Sequence, residues 1–508
     1  MALSFLLWAP LFFALLGALL GRRMAPKVAL FGSAVTLGMA IYYIADFDTG
    51  KAGLQHVTDT VWIAALGIHY KLGVDGLNLF LLTLTTLLWC VATLYAYFRS
   101  WDRPQLFFFF MGLAESAVLG AFLSQDLALF VAFFDLMLVP FYFLIGTWGG
   151  RKRVQATTKL VIYTLVGSLL MLAAAIATGV ESVGNSGQIS FALSDLVRVG
   201  LPVGTQEWIF LLFAAAFLVK MPAFPVHGWL PDGYRAMPIP VVAVFSAVLS
   251  KVAAYGFIRI VLPLFPQAAV HFQELLLLIA LASILYGSIM AFTQTDLRLI
   301  VGFSSIAQLG FITLGIFALN PQGTQGALLQ MVNHGLVTAA LFFIIAVLAA
   351  RAGGSEDVRD MGGIAFRAPV LASIFLIVGL ATLAMPGSAN FVGEFLILLG
   401  VFRAKVVFAF VASVGVVLAS VYVLRFFIRA MHNRVGPKVE SRELSLGDLA
   451  VIAPVVLVVL ALALYPQFGL KRSQPDARMT VLTVDFRGHS GATFTRESGA
   501  PAIPESTP

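Results

Sequence analysis

Charge and cysteine are what this chain lacks most. Only 11% of its 508 residues are charged against 60% hydrophobic, and the mean hydropathy is +0.95. That leaves far too little polar surface to cover a water-soluble globule. Cys90 is the single cysteine and falls inside an apolar run, which excludes a disulfide framework and a thiolate metal or iron–sulfur centre. No glycine-rich dinucleotide fingerprint follows a strand-like segment. No metal-ligand spacing, nucleophile–base arrangement or phosphate loop is present either. The chain itself is therefore expected to hold no cofactor and no metal. The net charge of +7 does not indicate nucleic acid, because the basic residues sit in short loops beside apolar runs, the pattern of a membrane protein's inner face.

What the chain has in abundance is long apolar runs. They lie near residues 2–20, 28–45, 73–98, 104–122, 127–147, 157–179, 208–230, 237–262, 271–293, 296–318, 325–350, 368–401, 403–430 and 446–467. At roughly 20 apolar residues per crossing, the expected fold is an all-α polytopic membrane protein of about fourteen transmembrane helices. The first run is followed, not preceded, by Arg22 and Arg23, which fits an uncleaved first helix rather than a signal peptide. The odd-numbered connections carry Lys27, Arg99, Arg103, Arg151, Lys152, Arg153, Arg434, Lys438 and Arg442, whereas the even-numbered ones carry Asp46, Asp48, Asp59, Glu181 and Asp195. Both termini are therefore expected on the outer side of the cytoplasmic membrane; Arg403 and Lys405 run against this rule. From about residue 469 the composition turns polar, and a short, weakly ordered tail is expected to the end at 508.

Two spans are interrupted. In the seventh, KMPAFPVHGWLPD (220–232) places a lysine, three prolines and a histidine where a helix should be crossing. Pro222 and Pro225 each remove an N–H and clash with the carbonyl one turn back, so the helix must break. In the twelfth, MPGSANFVGE (385–394) contains Pro386, Gly387 and Ser388. A break in hydrocarbon is tolerated only where the freed backbone groups are buried in protein or face water. Counted from the fourth span, each break is the fourth member of a group of five. Paired interruptions at matching positions point to an inverted-repeat transporter and its ion site. The expected division is residues 1–103 (spans one to three), 104–262 (first repeat, break near 220–228), 263–430 (second repeat, break near 385–390), 431–468 (span fourteen) and 469–508 (tail).

Ionisable residues inside spans are costly, about 2.5–3.5 kcal/mol for a central Asp, Lys or Arg. Asp135 lies mid-span in AFFDLMLVPFYFLIG; its bland role is a helix–helix hydrogen bond. Lys220 stands just before the double-proline break, where a bland lysine would snorkel to the interface. Lys251, in VVAVFSAVLSKVAAYGFIRIV, is roughly 15 Å from the nearest interface, and its stem of about 6 Å cannot reach it. Burial disfavours the charged ammonium, which suits a group that loads and unloads a proton. His334, in LLQMVNHGLVTAALFF, fits a relay or a satisfied core histidine. Glu394 follows the second break, either as a helix cap or as a transfer group. His227, inside the first break, could join Lys220 to water or bond freed carbonyls. Together Asp135, Lys220, Lys251, His334 and Glu394 form a series in spans five, seven, eight, eleven and twelve, which reads as a proton path.

The stretches KMPAFPVHGWLPDGYRAMPIPVVAVFSAVLSKVAAYGFIR, GFSSIAQLGFITLGI, NHGLVTAALFF and MPGSANFVGEFLILLG resemble the antiporter-like subunits of respiratory complex I, the NADH:quinone oxidoreductase. The likeness runs from GVDGLN at residue 73 to about residue 430. It implies a fourteen-helix core of two inverted five-helix repeats and proton translocation driven by quinone reduction elsewhere in the complex. Flavin, iron–sulfur clusters and quinone would belong to partner subunits, and the partners would be other membrane-arm subunits within the lipid bilayer of the bacterial inner membrane. By resemblance Asp135 pairs with Lys220, Lys251 is the central lysine, His334 the relay and Glu394 the distal acid. The family usually has glutamate where this chain has Asp135. The shorter side chain sets the carboxylate about 1–1.5 Å back from its lysine. Related assemblies, a multi-chain cation/proton antiporter and a proton-translocating hydrogenase, share the motifs and remain alternative readings. They differ in whether redox partners accompany the chain.

Overall fold

The computed structural model describes residues 2–489. Among them, 12 helices are long and apolar enough to cross a membrane, and every apolar run picked out in the sequence contains helix. The first span is Ala2–Leu19. The twelfth is two half-helices, Pro369–Thr382 and Ala389–Ala404. The seventh is likewise divided, into Val203–Lys220 and Leu230–Ala236. The protein is thus an all-α polytopic membrane protein.

The bundle has a clear inside. In their most apolar stretches, 100% of the residues of the eighth span (Ile239–Leu264) and the tenth (Leu297–Ile316), and 94% of those of the eleventh (Pro321–Arg351), are buried, against 33% in the thirteenth (Val406–Met431). A helix apolar all round belongs in a core, and these three form it. The fifth and tenth spans are started by the same device. Asp126 accepts from the N–H groups of Ala128 (2.9 Å) and Leu129 (3.1 Å), and Asp296 accepts from Leu299 (3.1 Å), each satisfying orphan donors of a first turn.

Three features differ from the sequence expectation. The third span begins at Leu79, because residues ahead of it form an antiparallel hairpin, β1 (Gln55–Ile63) and β2 (Ile68–Val74). The β-branched content of QHVTDTVWI favours a strand, and the cross-strand pair Asp59–Lys71 (3.4 Å) holds the register. The sixth span is longer than its apolar run and extends over Arg153–Ser186. The tail expected to be weakly ordered from residue 469 instead contains a helix, Gln467–His489; residues 490–508 lie outside the described residues.

Polar contacts dock that helix. Asp476 accepts from the backbone N–H groups of Gly53 (2.7 Å) and Gly76 (2.8 Å), Arg259 pairs with the neighbouring Asp75, and Gln325 donates to the Leu470 carbonyl (3.0 Å). Burial, and then the Asp75 carboxylate, push Asp476 up to about 6 from an ordinary 3.8. A raised acid stabilises the docked state fully below its ordinary value, and that stabilisation is lost as pH rises through the folded value. Amide-exchange protection of residues 467–489, corrected for intrinsic pH effects, should therefore increase as pH falls from about 7 to about 4, and Asp476→Asn should flatten the dependence.

Candidate functional site: a line of buried polar groups

The first break is built to leave few backbone groups unpaired. Lys220 is the last residue of its half-helix. Beyond it, Met221 N–H donates to the Phe217 carbonyl (2.8 Å) and Ala223 N–H to Leu218 (3.0 Å). The Trp229 indole donates to the Val219 carbonyl (3.0 Å), and Phe224 N–H donates to Ser283 Oγ (3.0 Å). With those groups satisfied, the break presents the Lys220 side chain to a small cavity lined by Phe141, Leu160, Thr164, Phe245 and Leu249. Its Nζ lies 4.6 Å from the centroid of the Phe134 ring, a cation–π distance.

Asp135, the next residue after Phe134, acts on Lys220 electrostatically and lies beside Ser168. Its Oδ1 is buried without a hydrogen-bond partner. Asp135 and Lys220 do not make a contact ion pair, and the ring of Phe134 lies against the ammonium. The ring of His227 lies against Tyr286 (4.7 Å) and Phe224 (5.8 Å), Lys159 is the charged group that acts on it, and its Nδ1 has no hydrogen-bond partner. Its ring nitrogens neither bond freed carbonyls nor reach the Lys220 cavity.

Lys251 is fully buried. It sits in an α-helical segment, Ser250–Gly256, bracketed by two π-helical turns, Phe245–Leu249 and Phe257–Val261. A π turn widens the helix and frees a carbonyl from its usual i+4 partner. Here Lys251 Nζ donates to the Ser246 carbonyl at 3.0 Å. The ammonium is held by its own helix. Phe245 and Leu249 of the same π turn line the Lys220 cavity, so one turn of helix touches both lysines.

The eleventh span crosses this turn closely. A Cβ on Gly335 would come within 2.9 Å of the Ala247 carbonyl and 2.7 Å of Leu84 Cδ2, so a side chain has no room there. The approach places His334 within electrostatic reach of Lys251. His334 Nε2 bonds Thr338 Oγ1 (3.1 Å), and Nδ1 is buried without a partner.

Glu394 lies in the second turn of Ala389–Ala404, past the capping positions, so it does not cap that helix. It is buried and accepts from Gln308 Nε2 (2.7 Å) and Gln330 Nε2 (3.3 Å). Gln330 Nε2 also donates to Gln308 Oε1 (2.7 Å). Close by, Tyr422, also within electrostatic reach of Glu394, shares a hydrogen bond with Ser304 (2.9 Å).

Sequence reasoning passed over Gln308, Gln330, Asn333, Asn390 and Tyr422, which are uncharged but polar within apolar runs. It also passed over Glu115, to which the rule that singles out Asp135 applies equally. Glu115 is buried in the fourth span (Pro104–Leu123) with Oε1 unpartnered, in a small cavity lined by Ser33, Trp89, Thr93 and Met111. No three His, Cys, Asp or Glu side chains among the described residues converge as a metal centre would require.

A fold of broken helices around a buried polar line defines a class of membrane ion-translocating proteins, and comparison with known proteins narrows it. Residues 124–419 match the family model described as NADH:quinone oxidoreductase/Mrp antiporter, transmembrane. The chain is 36% identical over 483 residues to NADH-quinone oxidoreductase subunit M of Rhodobacter capsulatus, covering 91% of this chain and 93% of that one. It is 36% identical over 465 residues to the subunit M of Escherichia coli K12, covering 88% and 90%. A chain of respiratory complex I from Thermus thermophilus superposes with a TM-score of 0.87 at 29% identity, covering 95% of this chain and 100% of that one. A chain of the Mrp complex from Dietzia sp. superposes with a TM-score of 0.82 at 21% identity, covering 96% and 98%, a likeness of fold. The chain belongs to the NADH:quinone oxidoreductase/Mrp antiporter membrane family.

Gly335→Ala should force the eighth and eleventh spans apart at the Lys251–His334 level. Overpacking of this kind costs about 1–3 kcal/mol. A lowered thermal midpoint of the detergent-solubilised assembly, with an intact subunit set, would be the expected readout.

Proposed function

We propose that this chain is a proton-translocating membrane subunit of a respiratory NADH:quinone oxidoreductase. The observation that carries the reading is the line itself, the half-buried Asp135 and the buried Lys220, Lys251, His334 and Glu394, set at two helix breaks and between two π turns. It lies within a chain 91% and 88% of which is covered by two subunits named for that enzyme. The weaker identity to the Mrp chain, at equal coverage, favours this reading over a cation/proton antiporter.

In this mechanism a proton enters from the basic-loop side near Asp135 and Lys220. It passes laterally by way of Lys251 and His334 and leaves by way of Glu394. Each transfer is driven electrostatically, because adding a charge at one site destabilises a like charge at the next. Two charges about 4 Å apart at an effective dielectric of about 20 interact by about 4 kcal/mol. Lys220 without a contact partner is poised to respond when the carboxylate of Asp135 approaches or withdraws.

Flavin, iron–sulfur clusters and the quinone site are assigned to partner subunits, so this chain moves protons without redox chemistry of its own. Neighbouring membrane subunits are its partners, and the exposed apolar side chains of β1, Val57, Val61 and Trp62, fit a face covered by one of them. Both termini are assigned to the outer side of the bacterial inner membrane. Residues 104–262 and 263–430 are read as the two inverted repeats, a reading supported by the Asp126 and Asp296 caps that start the second helix of each.

Lys251→Ala should abolish or strongly reduce proton pumping in inverted vesicles while NADH oxidation with an artificial acceptor and subunit assembly persist. Normal pumping by the assembled variant would refute the role. Co-purification of the tagged chain in mild detergent with flavin and iron–sulfur absorbance and quinone-linked NADH oxidation separates this enzyme from an antiporter, which would be colourless and inactive with NADH.

A further inference from the structure

The thirteenth span (Val406–Met431) carries two arginines that the proton line does not use. Arg425 and Arg429 are four residues apart, so their side chains share one face of the helix. Both line one small cavity, with Gln294, Ile300, Val358 and Tyr422. The Arg425 guanidinium lies 4.8 Å from the centroid of the Phe292 ring and donates to the Phe292 carbonyl, at the end of the ninth span (Gln273–Thr293). It also stands in the field of Arg429. Like charges one turn apart destabilise a helix, so the pair calls for an anion.

The protein does not supply one. The carboxylates of the segments that border the cavity have other partners: Asp296 holds Arg235 (3.0 Å), Glu356 holds Arg298 (2.7 Å) and Asp357 holds Arg359 (2.6 Å). Asp360 accepts from Ser355 (2.6 Å). Among the described residues no acid pairs with Arg425 or Arg429. A bland reading, in which each arginine snorkels to the interface, explains their depth but not why two cations line the same cavity.

The surroundings identify the missing group. Arg429 stands in the last turn of its helix, next to the loop of Arg434, Lys438 and Arg442, and Arg425 lies about 6 Å deeper, which is headgroup depth on the basic-loop side. Beside the cavity the two spans expose an apolar strip of Ile289, Phe292, Val421, Leu424 and Ile428. Guanidinium groups match phosphate oxygens with paired N–H donors, and basic pockets between membrane helices on the inner side take anionic headgroups. A zwitterionic headgroup brings its own ammonium, for which this cavity has no free acid. Free phosphate makes no use of the strip.

We infer that Arg425 and Arg429 bind the phosphate of an anionic phospholipid in the leaflet on the basic-loop side, with an acyl chain lying along the strip between the ninth and thirteenth spans. The lipid would clamp these spans together beside Tyr422. The site needs no proton transfer, so binding is measured apart from pumping.

The test uses the whole complex, delipidated in detergent and returned to phosphatidylcholine nanodiscs with a trace of phosphatidylglycerol carrying a photoreactive acyl chain. After illumination, label should concentrate in peptides covering residues 289–293 and 421–429, and unlabelled phosphatidylglycerol should displace it far better than added phosphatidylcholine or inorganic phosphate. Arg425→Gln with Arg429→Gln should cut this labelling about tenfold or more, the equivalent of losing a hydrogen bond between charged groups. Arg425→Lys with Arg429→Lys should retain more, because lysine still binds phosphate as a point charge, and Arg22→Gln should change nothing. Full labelling in the Gln pair, equal loss in the Lys pair, or equal displacement by phosphatidylcholine or by inorganic phosphate would overturn the inference. So would native complex that takes no label in these peptides, since a neighbouring subunit would then cover the arginines. If the Gln pair does not assemble, Arg429→Gln alone takes its place in the same comparison.

Discussion

In hydrocarbon there is no solvent to accept or donate a hydrogen bond, so each backbone group that leaves a helical ladder must find a partner inside the protein. Every functional feature of this chain is an answer to that constraint. The seventh span breaks because prolines require it, and Trp229, Ser283 and the carbonyls of Phe217 and Leu218 take up much of what the break releases. The twelfth span breaks through Gly387, whose φ of +91° only glycine adopts without strain, and its released groups meet a polar face of the eleventh span. The eighth span keeps its ladder but widens it twice. The turn before Lys251 hands the Ser246 carbonyl to the ammonium. Breaks and π turns are thus where a membrane helix acquires polar capacity without becoming a loop.

The same constraint accounts for the spacing of the line. A charge in the core needs a partner or a cavity, and the three innermost spans supply these through close crossings. At Gly335 the eleventh span approaches the π turn beside Lys251. At Gly326 a Cβ would lie 2.7 Å from the Ile397 amide, and at Gly393 one would lie 3.1 Å from the Gln330 amide. Small residues that let backbones approach are the usual basis of packing between membrane helices. Here they also set how far apart the titratable groups stand. Glu394 is bonded to amides of two helices, Lys251 to its own helix, and Lys220 to an aromatic face. Three buried ionisable groups thus have three different forms of support.

Much of this was legible beforehand. Apolar runs located the spans because hydropathy responds to the same desolvation cost that builds them, and the prolines of 220–232 and the Pro386–Gly387 pair located the breaks because both residue types act on their own backbone. Lys251 stood out from stem length alone. The hairpin Gln55–Val74 was less legible, since a strand's period is weak next to a strongly apolar span, and the helix at Gln467–His489 was hidden by its polar composition. That helix is held by Gly53, Gly76 and Gln325, residues far away in sequence. The resemblance supplied the pairing of Asp135 with Lys220, but not the ring of Phe134 beside the ammonium.

Sequence alone determined that this is a membrane protein of about fourteen spans, two of them broken, and which ionisable side chains lie within them. Those properties depend on the local cost of placing each residue in hydrocarbon. Only the tertiary structure decided which polar groups meet: Gln308 and Gln330 on Glu394, His334 near Lys251, and Asn333 on the Ala389 carbonyl. Such meetings depend on how helices cross, and a crossing is set by glycines and side-chain volumes on two segments at once, which no single stretch of sequence records.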